Sequence, residues 1–132
     1  MSIESASLQK DSTSAPTGGT TQSFNTLGAV GNSHRVYFDG TASLTRSRAE
    51  FTRSEPRPLA TAPNGYTQAR STVNLQVPIT LANGHVTVNS VNIKLAVDPE
   101  TTPAQIHTLR EYAAQLIYAS AFDSFWQAQS LA

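Results

Sequence analysis

Two alternating segments joined by Asn83-Gly84 constrain the fold of this chain more than any other feature. From Ala69 to Ile79, and in the later half of His85 to Val97, apolar and polar residues take alternate positions. A period of two is typical of a strand with two unlike faces, and Asn-Gly favours a tight hairpin turn. The sequence therefore predicts two antiparallel strands that share one apolar face and one polar face.

The chain changes its period after the second strand. Thr102 has the character of an N-cap and Pro103 that of a first helical residue, so they predict the start of an amphipathic helix. A second, shorter helix is predicted near Ser120, with Asp123 three residues later as a partial capping box. Helices that follow a run of strands predict an α+β domain with the helices on one side of an antiparallel sheet.

The segments before the hairpin are less regular. Weak alternation at Ile3 to Leu8 and at Phe24 to Val30, around the turn-like Ala15 to Gly19, predicts an N-terminal hairpin within residues 1–34, the alternative being a disordered tail. A polar strand is predicted from Ser43 to Ser54. Its phase changes, which indicates either a bulge or two short strands that meet near Arg46.

The next segment contains three prolines and an Asn-Gly pair. This stretch, Glu55 to Gly65, predicts a long exposed loop. With the segments on either side, it divides a single domain of 132 residues into a hairpin (1–34), a sheet of about five strands (35–97) and helices (101–131).

Charge and composition exclude several classes of protein. The net charge of the chain is zero, but its distribution is uneven. The segment from Arg35 to Val97 contains seven basic and three acidic residues, and both flanking segments have a net negative charge. The chain has no cysteine, which excludes disulfides and thiolate metal sites. His34, His85 and His107 lack metal-ligand spacing, and no catalytic constellation is visible. We therefore expect no enzyme activity, no metal and no cofactor.

The N-terminal residues lack the pattern of a secretory signal. MSIESASLQKDSTS has neither a basic start nor an apolar run, and no segment has the length of a membrane span. We expect a protein that is made in the cytosol and has no membrane partner.

The polar face of the two strands is unusual in composition. One open polar face is normal in such sheets, and simple solvation is the ordinary explanation. However, the two strands place no acid on this face and favour Asn, Gln, Ser and Thr, whose side chains can hydrogen-bond to phosphates and base edges.

The order and spacing of these segments resemble a known family. A weak N-terminal hairpin, polar strands, TVNLQVP (72–78), SVNIKLAV (90–97) and two terminal helices are similar to the coat proteins of single-stranded RNA bacteriophages, the levivirus-like group. The resemblance implies a homodimer with one continuous sheet, each subunit's helices lying across its partner. It also implies dimers assembling into an icosahedral shell in the host cytoplasm, with the sheet facing the genomic RNA.

The resemblance also implies particular site residues. On the first strand of the hairpin the family's RNA contacts fall on Gln68, Arg70, Thr72 and Asn74, with Gln76 as a weaker member. The expected RNA-binding set also includes Arg48 and Thr52 on the earlier strand, where Glu50 shares the inward set and Arg46 and Arg53 are alternates, and Ser90, Asn92 and Lys94 on the last strand. The expected dimer contacts are Leu109, Leu116, Phe122, Phe125 and Trp126.

This sequence departs from the family at two places. Val86 and Val88 stand where relatives place an aromatic stacking residue and polar groups. Stacking worth on the order of 1 to 3 kcal/mol per base is therefore not expected here, and repression through a replicase RNA hairpin is less favoured than general RNA packing. The connection from Thr80 to His85 is also shorter than the family's loop.

Two other functions remain open from the sequence. One is a dimeric RNA-binding regulator that forms no shell. The other is a small α+β enzyme or ligand-binding protein with a pocket between its sheet and its helices. Shell assembly separates the first from a coat protein, and a deep pocket with a buried carboxylate or histidine would favour the second.

Overall fold

A computed structural model describes Leu8 and residues 22–131 of the chain. Five strands form one antiparallel sheet in the order β1-β2-β3-β4-β5, and two helices follow. The strands are β1 Asn25–Val30, β2 Ser33–Phe38, β3 Ser47–Ser54, β4 Ala69–Thr80 and β5 Val86–Val97, and the helices are α1 Pro103–Tyr118 and α2 Asp123–Ala128. The α+β prediction, with about five strands before two helices, is confirmed.

The β4–β5 hairpin shares one apolar face between its two strands, as predicted. Val73 lies opposite Ile93, and Leu75 lies opposite Val91, so the odd-numbered apolar residues share one face. Gly84 closes the turn with φ at 86°, a backbone conformation that costs glycine little. Beyond Gln76, the last residue of β4 that pairs with β3, β4 pairs only with β5.

The changing phase before β3 comes from a turn. The carbonyl of Ala42 accepts hydrogen bonds from the backbone N–H groups of Thr45 and Arg46, at 3.1 and 2.9 Å. The strand then begins at Ser47, so the strand predicted from Ser43 starts too early. Neither of the two predicted causes, a bulge or two strands meeting, applies, because the residues before Ser47 are not extended.

The sheet begins earlier than the predicted boundary at residue 35. β1 and β2 form a hairpin at its edge, with a register shift between Thr26 and Gly28. The first arm of the predicted N-terminal hairpin, Ile3 to Leu8, and the turn at Ala15 to Gly19 lie outside the described residues except for Leu8. The Phe24 to Val30 region supplies β1, which pairs with β2.

The proline-rich loop between β3 and β4 has its own hydrogen bonds. The backbone N–H of Arg57 donates to the Thr67 hydroxyl, and the Thr67 N–H donates to the Arg57 carbonyl, both at 2.8 Å. The Asn64 side-chain amide donates to the Asp98 carboxylate at 2.8 Å. The loop is exposed over most of its length, as predicted, and it is closed at its base.

The most buried apolar residues of the sheet lie on the side that carries Val73 and Leu75. We call it the odd-numbered side after its residues in β3, β4 and β5; the β2 residues on this side have even numbers. Val36 and Ala49, each 5% exposed, are direct cross-strand partners. Phe24 packs near Phe38 and Phe51, with ring centroids 5.4 and 6.3 Å away. Since burial of apolar surface is the main source of stability, this β1–β3 region is the best-formed part of the sheet's core.

Helix α1 starts with the predicted cap. The Thr102 hydroxyl accepts from the Gln105 N–H at 3.2 Å, and the Gln105 side chain accepts from the Thr102 N–H at 3.0 Å. These two bonds satisfy N–H groups that have no partner within the helix. Among the described residues, no helix is long and apolar enough to cross a membrane.

The second helix starts differently from the prediction. Ser120–Phe122 forms a single 3-10 turn, and Phe122 is the N-cap of α2 without a side-chain capping bond. The predicted capping box of Ser120 and Asp123 is therefore wrong. The Trp126 indole N–H donates to the Leu116 carbonyl at 2.7 Å, which ties α2 to the end of α1.

Candidate functional site

The strand register gathers polar side chains from four strands onto one side of the sheet. Directly opposed residues of antiparallel strands share a face, so each cross-strand row carries one type of surface from β2 to β5. We call this surface the polar face. Its polar strand residues are Ser33, Arg35, Tyr37, Arg48, Glu50, Thr52, Ser54, Arg70, Thr72, Asn74, Gln76, Ser90, Asn92 and Lys94.

The predicted contacts lie in successive rows of this face. Arg48 stands opposite Gln76, which stands opposite Ser90. Thr72 stands between Thr52 and Lys94 in another row. Of the predicted RNA-binding residues, Gln68 alone lies outside the strands, since β4 begins at Ala69.

The polar face is exposed at one edge and recessed toward its centre. Arg70, Asn92 and Lys94 are exposed, whereas Arg48 and Asn74 are partly buried. A surface cavity of about 400 Å³ opens among β1, β2, β3 and β4. Its lining residues are Leu27, Arg35, Val36, Arg46, Arg48, Ala49, Glu50, Asn74 and Gln76.

The two alternates from the earlier strand have different positions. Arg53 pairs with Ser71 on the odd-numbered side, so it does not belong to the polar face. Arg46 precedes β3, yet its guanidinium lies 4.4 Å from the centre of the Tyr37 ring, and Tyr37 is a polar-face residue. Arg46 therefore belongs to the face, held there by a cation–π contact.

Strand β2 contributes residues to the polar face that were not predicted from the sequence. Arg35 lies 3.5 Å from the Glu50 carboxylate, so the one acid in the rows of the polar face has a cationic neighbour. Tyr37 supplies an aromatic ring, but Arg46 covers one side of it. The alternation in the short segment Ser33–Phe38 was the available signal, since Val36 and Phe38 point away from this face.

The polar character of the face ends toward the β4–β5 turn. Val88 lies opposite Pro78, and Val86 lies opposite Thr80. Both valines are exposed on the same side as Gln76. The residues at the two positions where the resemblance implies polar and stacking contacts can therefore offer only apolar contact.

The predicted dimer residues of the helices differ in exposure. Leu109 and Leu116 are exposed, and Trp126 is 53% exposed despite its hydrogen bond. Phe125 lies edge-on to Trp126, with centroids 4.9 Å apart. Phe122 is only 8% exposed, so little of its surface remains for a partner.

The cavities and side chains of the described residues bear on the two other functions that the sequence left open. No cluster of His, Asp and Glu suited to a metal ion occurs in the described part of the chain. A second cavity, of about 380 Å³, lies on the odd-numbered side and includes Phe51 and His34 among its lining residues, which are exposed groups without a catalytic partner set. The chemistry of the polar face is that of binding, through guanidinium, ammonium, amide and hydroxyl groups.

The chain is similar to the coat proteins of known particles. The virus-like particle of bacteriophage GQ-907 matches at 34% identity with a TM-score of 0.83, over 99% of this chain and 100% of that one. The particle of bacteriophage AVE019 matches at 14% identity and TM-score 0.63, over 88% and 90% of the two chains. The particle of Beihai levi-like virus 21 matches at 12% and 0.61, over 88% and 91%. No protein-family model and no curated protein matches the chain.

Proposed function

As a member of the coat-protein family of levi-like bacteriophages, to which its full-length match at 34% identity assigns it, the chain is a capsid protein, and we propose that it forms dimers that assemble into an icosahedral shell around single-stranded genomic RNA. Residues 1–132 act in this proposal as one coat-protein domain, assembled in the host cytoplasm. The proposal that the protein binds RNA is based on the polar face of the sheet.

Strand β5 is the better of the two sheet edges for pairing with a second copy. It is regular over twelve residues, and its outer edge has no strand partner among the described residues. At the opposite edge, β1 has six residues and a register shift, and such irregularity protects an edge from pairing. Antiparallel pairing of two β5 strands would join two sheets into one.

The exposed apolar surfaces support the same dimer. On the odd-numbered side of β5, Val91 is 46% exposed and Ile93 is 42% exposed. On the helices, Leu109, Leu116 and Trp126 are exposed as well. Covering such surface contributes about 25 cal/mol for each Å² removed from water, so helices of one subunit lying across the sheet of its partner would stabilise both.

The polar face is suited to single-stranded RNA. Arg48, Arg70 and Lys94 can neutralise phosphates, and the amides of Asn74 and Asn92 can donate to phosphates or bases. Glu50 opposes phosphate binding, but its ion pair with Arg35 reduces that effect. The face therefore presents a net positive, amide-rich surface although the whole chain is neutral.

The composition near the β4–β5 turn favours general RNA packing over recognition of one hairpin. Val86 and Val88 offer no donor or acceptor from their side chains, and neither can stack on a base as an aromatic ring does. Tyr37 is the aromatic ring of the strand rows, and Arg46 covers one side of it. Translational repression through a replicase hairpin is thus the weaker part of the proposal.

The loop between β3 and β4 is a candidate for contacts around the shell's symmetry axes. The β4–β5 connection is short, since the Leu81 N–H bonds the His85 carbonyl at 2.7 Å. The longer loop exposes Leu59 and Tyr66, and its base is closed by the Arg57 and Thr67 hydrogen bonds. A firm, partly apolar projection is suited to contact a neighbouring dimer.

Negative-stain electron microscopy of the purified protein tests the assembly. We expect closed shells of uniform size, together with RNA released by denaturing them. Dimers that bind RNA but form no shell at any salt concentration would instead identify the protein as an RNA-binding regulator. Shells that contain no RNA, formed in cells where RNA is abundant, would contradict the role of the polar face and leave the capsid assignment intact.

A further inference from the structure

The cavity on the polar face contains two arginines with unused hydrogen-bond donors. The Nε atoms of Arg46 and Arg48 are shielded from solvent, and neither has a hydrogen-bond partner in the described part of the chain. Both residues line the cavity of about 400 Å³. Buried side-chain donors are nearly always paired in folded proteins, so two unpaired ones beside one cavity indicate a ligand that accepts hydrogen bonds.

The surrounding fold holds both arginines in place. Arg48 is the second residue of β3 and lies directly opposite Tyr37 on one side and Gln76 on the other. Arg46 lies against the same Tyr37 ring, with its guanidinium 4.4 Å from the ring centre. One tyrosine therefore sits between the two arginines, as the platform for Arg46 and the cross-strand neighbour of Arg48.

The charges at the cavity call for an anion. Three guanidinium groups, those of Arg35, Arg46 and Arg48, line it together with one carboxylate, that of Glu50. Glu50 lies 3.5 Å from Arg35, so its charge is already directed to one of the three. Partly buried like charges repel one another at reduced dielectric, and an uncompensated buried charge is costly. A bound anion would offset both costs.

We propose that Arg46 and Arg48 form a clamp for a phosphate group, with the side-chain amides of Asn74 and Gln76 as further donors. A planar guanidinium can donate two parallel hydrogen bonds to a phosphate. Because neither Nε–H has an acceptor, donating to a phosphate would break no hydrogen bond of the Nε atoms. We refer to these four residues as the phosphate clamp.

The phosphate has two possible sources, a phosphodiester of RNA or free inorganic phosphate. The first rests on the proposed RNA-facing role of the polar face, whereas the clamp itself rests only on the cavity and its arginines. A base in the cavity is a different arrangement: it would stack or pair through its edges, and a nucleoside without phosphate would then bind as well.

Binding of inorganic phosphate to the purified full-length protein, freed of RNA by nuclease and a high-salt wash, tests the clamp. The measurement is the 31P line width of phosphate during titration, at an ionic strength held constant with chloride. Arg46→Gln and Arg48→Gln each remove charge-assisted hydrogen bonds, so we expect the phosphate Kd to rise on the order of 10- to 100-fold. Equal affinity in Arg48→Gln and the wild-type protein, or no binding by the wild-type protein, would refute the clamp.

Arg53→Gln is the matched control. Arg53 lies on the same strand but on the odd-numbered side, and it is exposed beside Glu55 at 4.0 Å. The substitution removes the same charge as Arg48→Gln, but Arg53 does not line the cavity, so we expect unchanged phosphate binding. A loss equal to that of Arg48→Gln would mean that net charge alone governs binding, and it would overturn the proposal.

Two further variants control for misfolding as the cause of lost binding. Arg46→Lys and Arg48→Lys keep the positive charge and remove the planar fork of donors. We expect them to fold with wild-type melting curves and to bind phosphate more weakly than the wild-type protein. Wild-type phosphate affinity in both lysine variants would refute the clamp geometry.

Competition experiments separate the sources and the alternatives. A short single-stranded RNA that displaces phosphate from the wild-type protein identifies the phosphodiester as the occupant. RNA that binds without displacing phosphate identifies free phosphate, and both results support the clamp. Displacement by adenosine or guanosine would identify a base pocket and overturn it. Shells without RNA that still bind phosphate would refute the RNA role of the face but not the clamp.

Discussion

Replacing Arg70 and Lys94 together with alanine tests the polar face through the salt dependence of RNA binding. Both residues are exposed on this face, and neither has an acidic partner in the ion pairs among described residues. Their ammonium and guanidinium groups are therefore free to contact phosphates. Each such contact releases counterions, so the affinity falls as salt is added.

The size of the effect follows from two lost phosphate contacts. For single strands, each contact contributes about −0.7 to the slope of log K against log salt concentration, so the double variant should lose about 1.4 from the magnitude of the slope. If these cations act only through counterion release, the two affinities converge near 1 M salt. The double variant then binds roughly 25-fold more weakly at 0.1 M salt and about 4-fold more weakly at 0.4 M.

Fluorescence anisotropy of a labelled single-stranded RNA across this range of salt measures both slopes. The control is Arg53→Ala with Arg57→Ala, which removes the same charge from the odd-numbered side of β3 and from the loop. We expect the control to keep the wild-type slope. An unchanged slope in the Arg70 and Lys94 variant, or an equal reduction in the control, would refute the assignment of the RNA surface.

Substitutions at three other residues have defined outcomes. Thr102→Ala removes the capping box and should lower the free energy of unfolding by about 1 kcal/mol, measured by urea denaturation; a wild-type midpoint would show that the cap contributes nothing. Trp126→Phe loses the hydrogen bond to Leu116 but keeps an apolar ring. Trp126→Ala should therefore weaken the dimer more than Trp126→Phe does, as measured by analytical ultracentrifugation. Equal dimer dissociation constants for the two variants would exclude the ring from the interface. Asn64→Ala removes the hydrogen bonds to Asp98 and to the Tyr66 N–H and should speed chymotryptic cleavage of the loop after the exposed Leu59 or Tyr66; unchanged cleavage would mean that these bonds do not restrain the loop.

Local pattern was sufficient where an element's position depends on nearby residues. The shared apolar face of β4 and β5 follows from alternation on both sides of Asn83-Gly84, and the start of α1 follows from Thr102 and Pro103. In both cases the residues that decide the geometry lie within a few positions of one another.

The local sequence pattern could not predict the positions of side chains that depend on contacts with residues distant in the sequence. The segment that contains Tyr37 has only six strand residues, too few for its period to be read with certainty, and its side of the sheet is set by pairing with β3. Arg46 lies in a turn, so no periodicity places its side chain; its contact with Tyr37 does. The same holds for Asn64, whose partner Asp98 is distant in the sequence.

The proposed dimer and the proposed RNA surface depend on the same strand. β5 carries Lys94 and Asn92 on the polar face, while its outer edge is the one suited to a second copy. Pairing through that edge would place two polar faces side by side, so one RNA strand could contact both subunits, and contacts made after the first would be effectively intramolecular. A monomer would offer half of these phosphate contacts. Because the salt slope grows with the number of contacts, RNA affinity should depend on dimerisation even for substitutions that touch no polar-face residue, and RNA bound by the assembled shell should in turn stabilise the dimer by mass action.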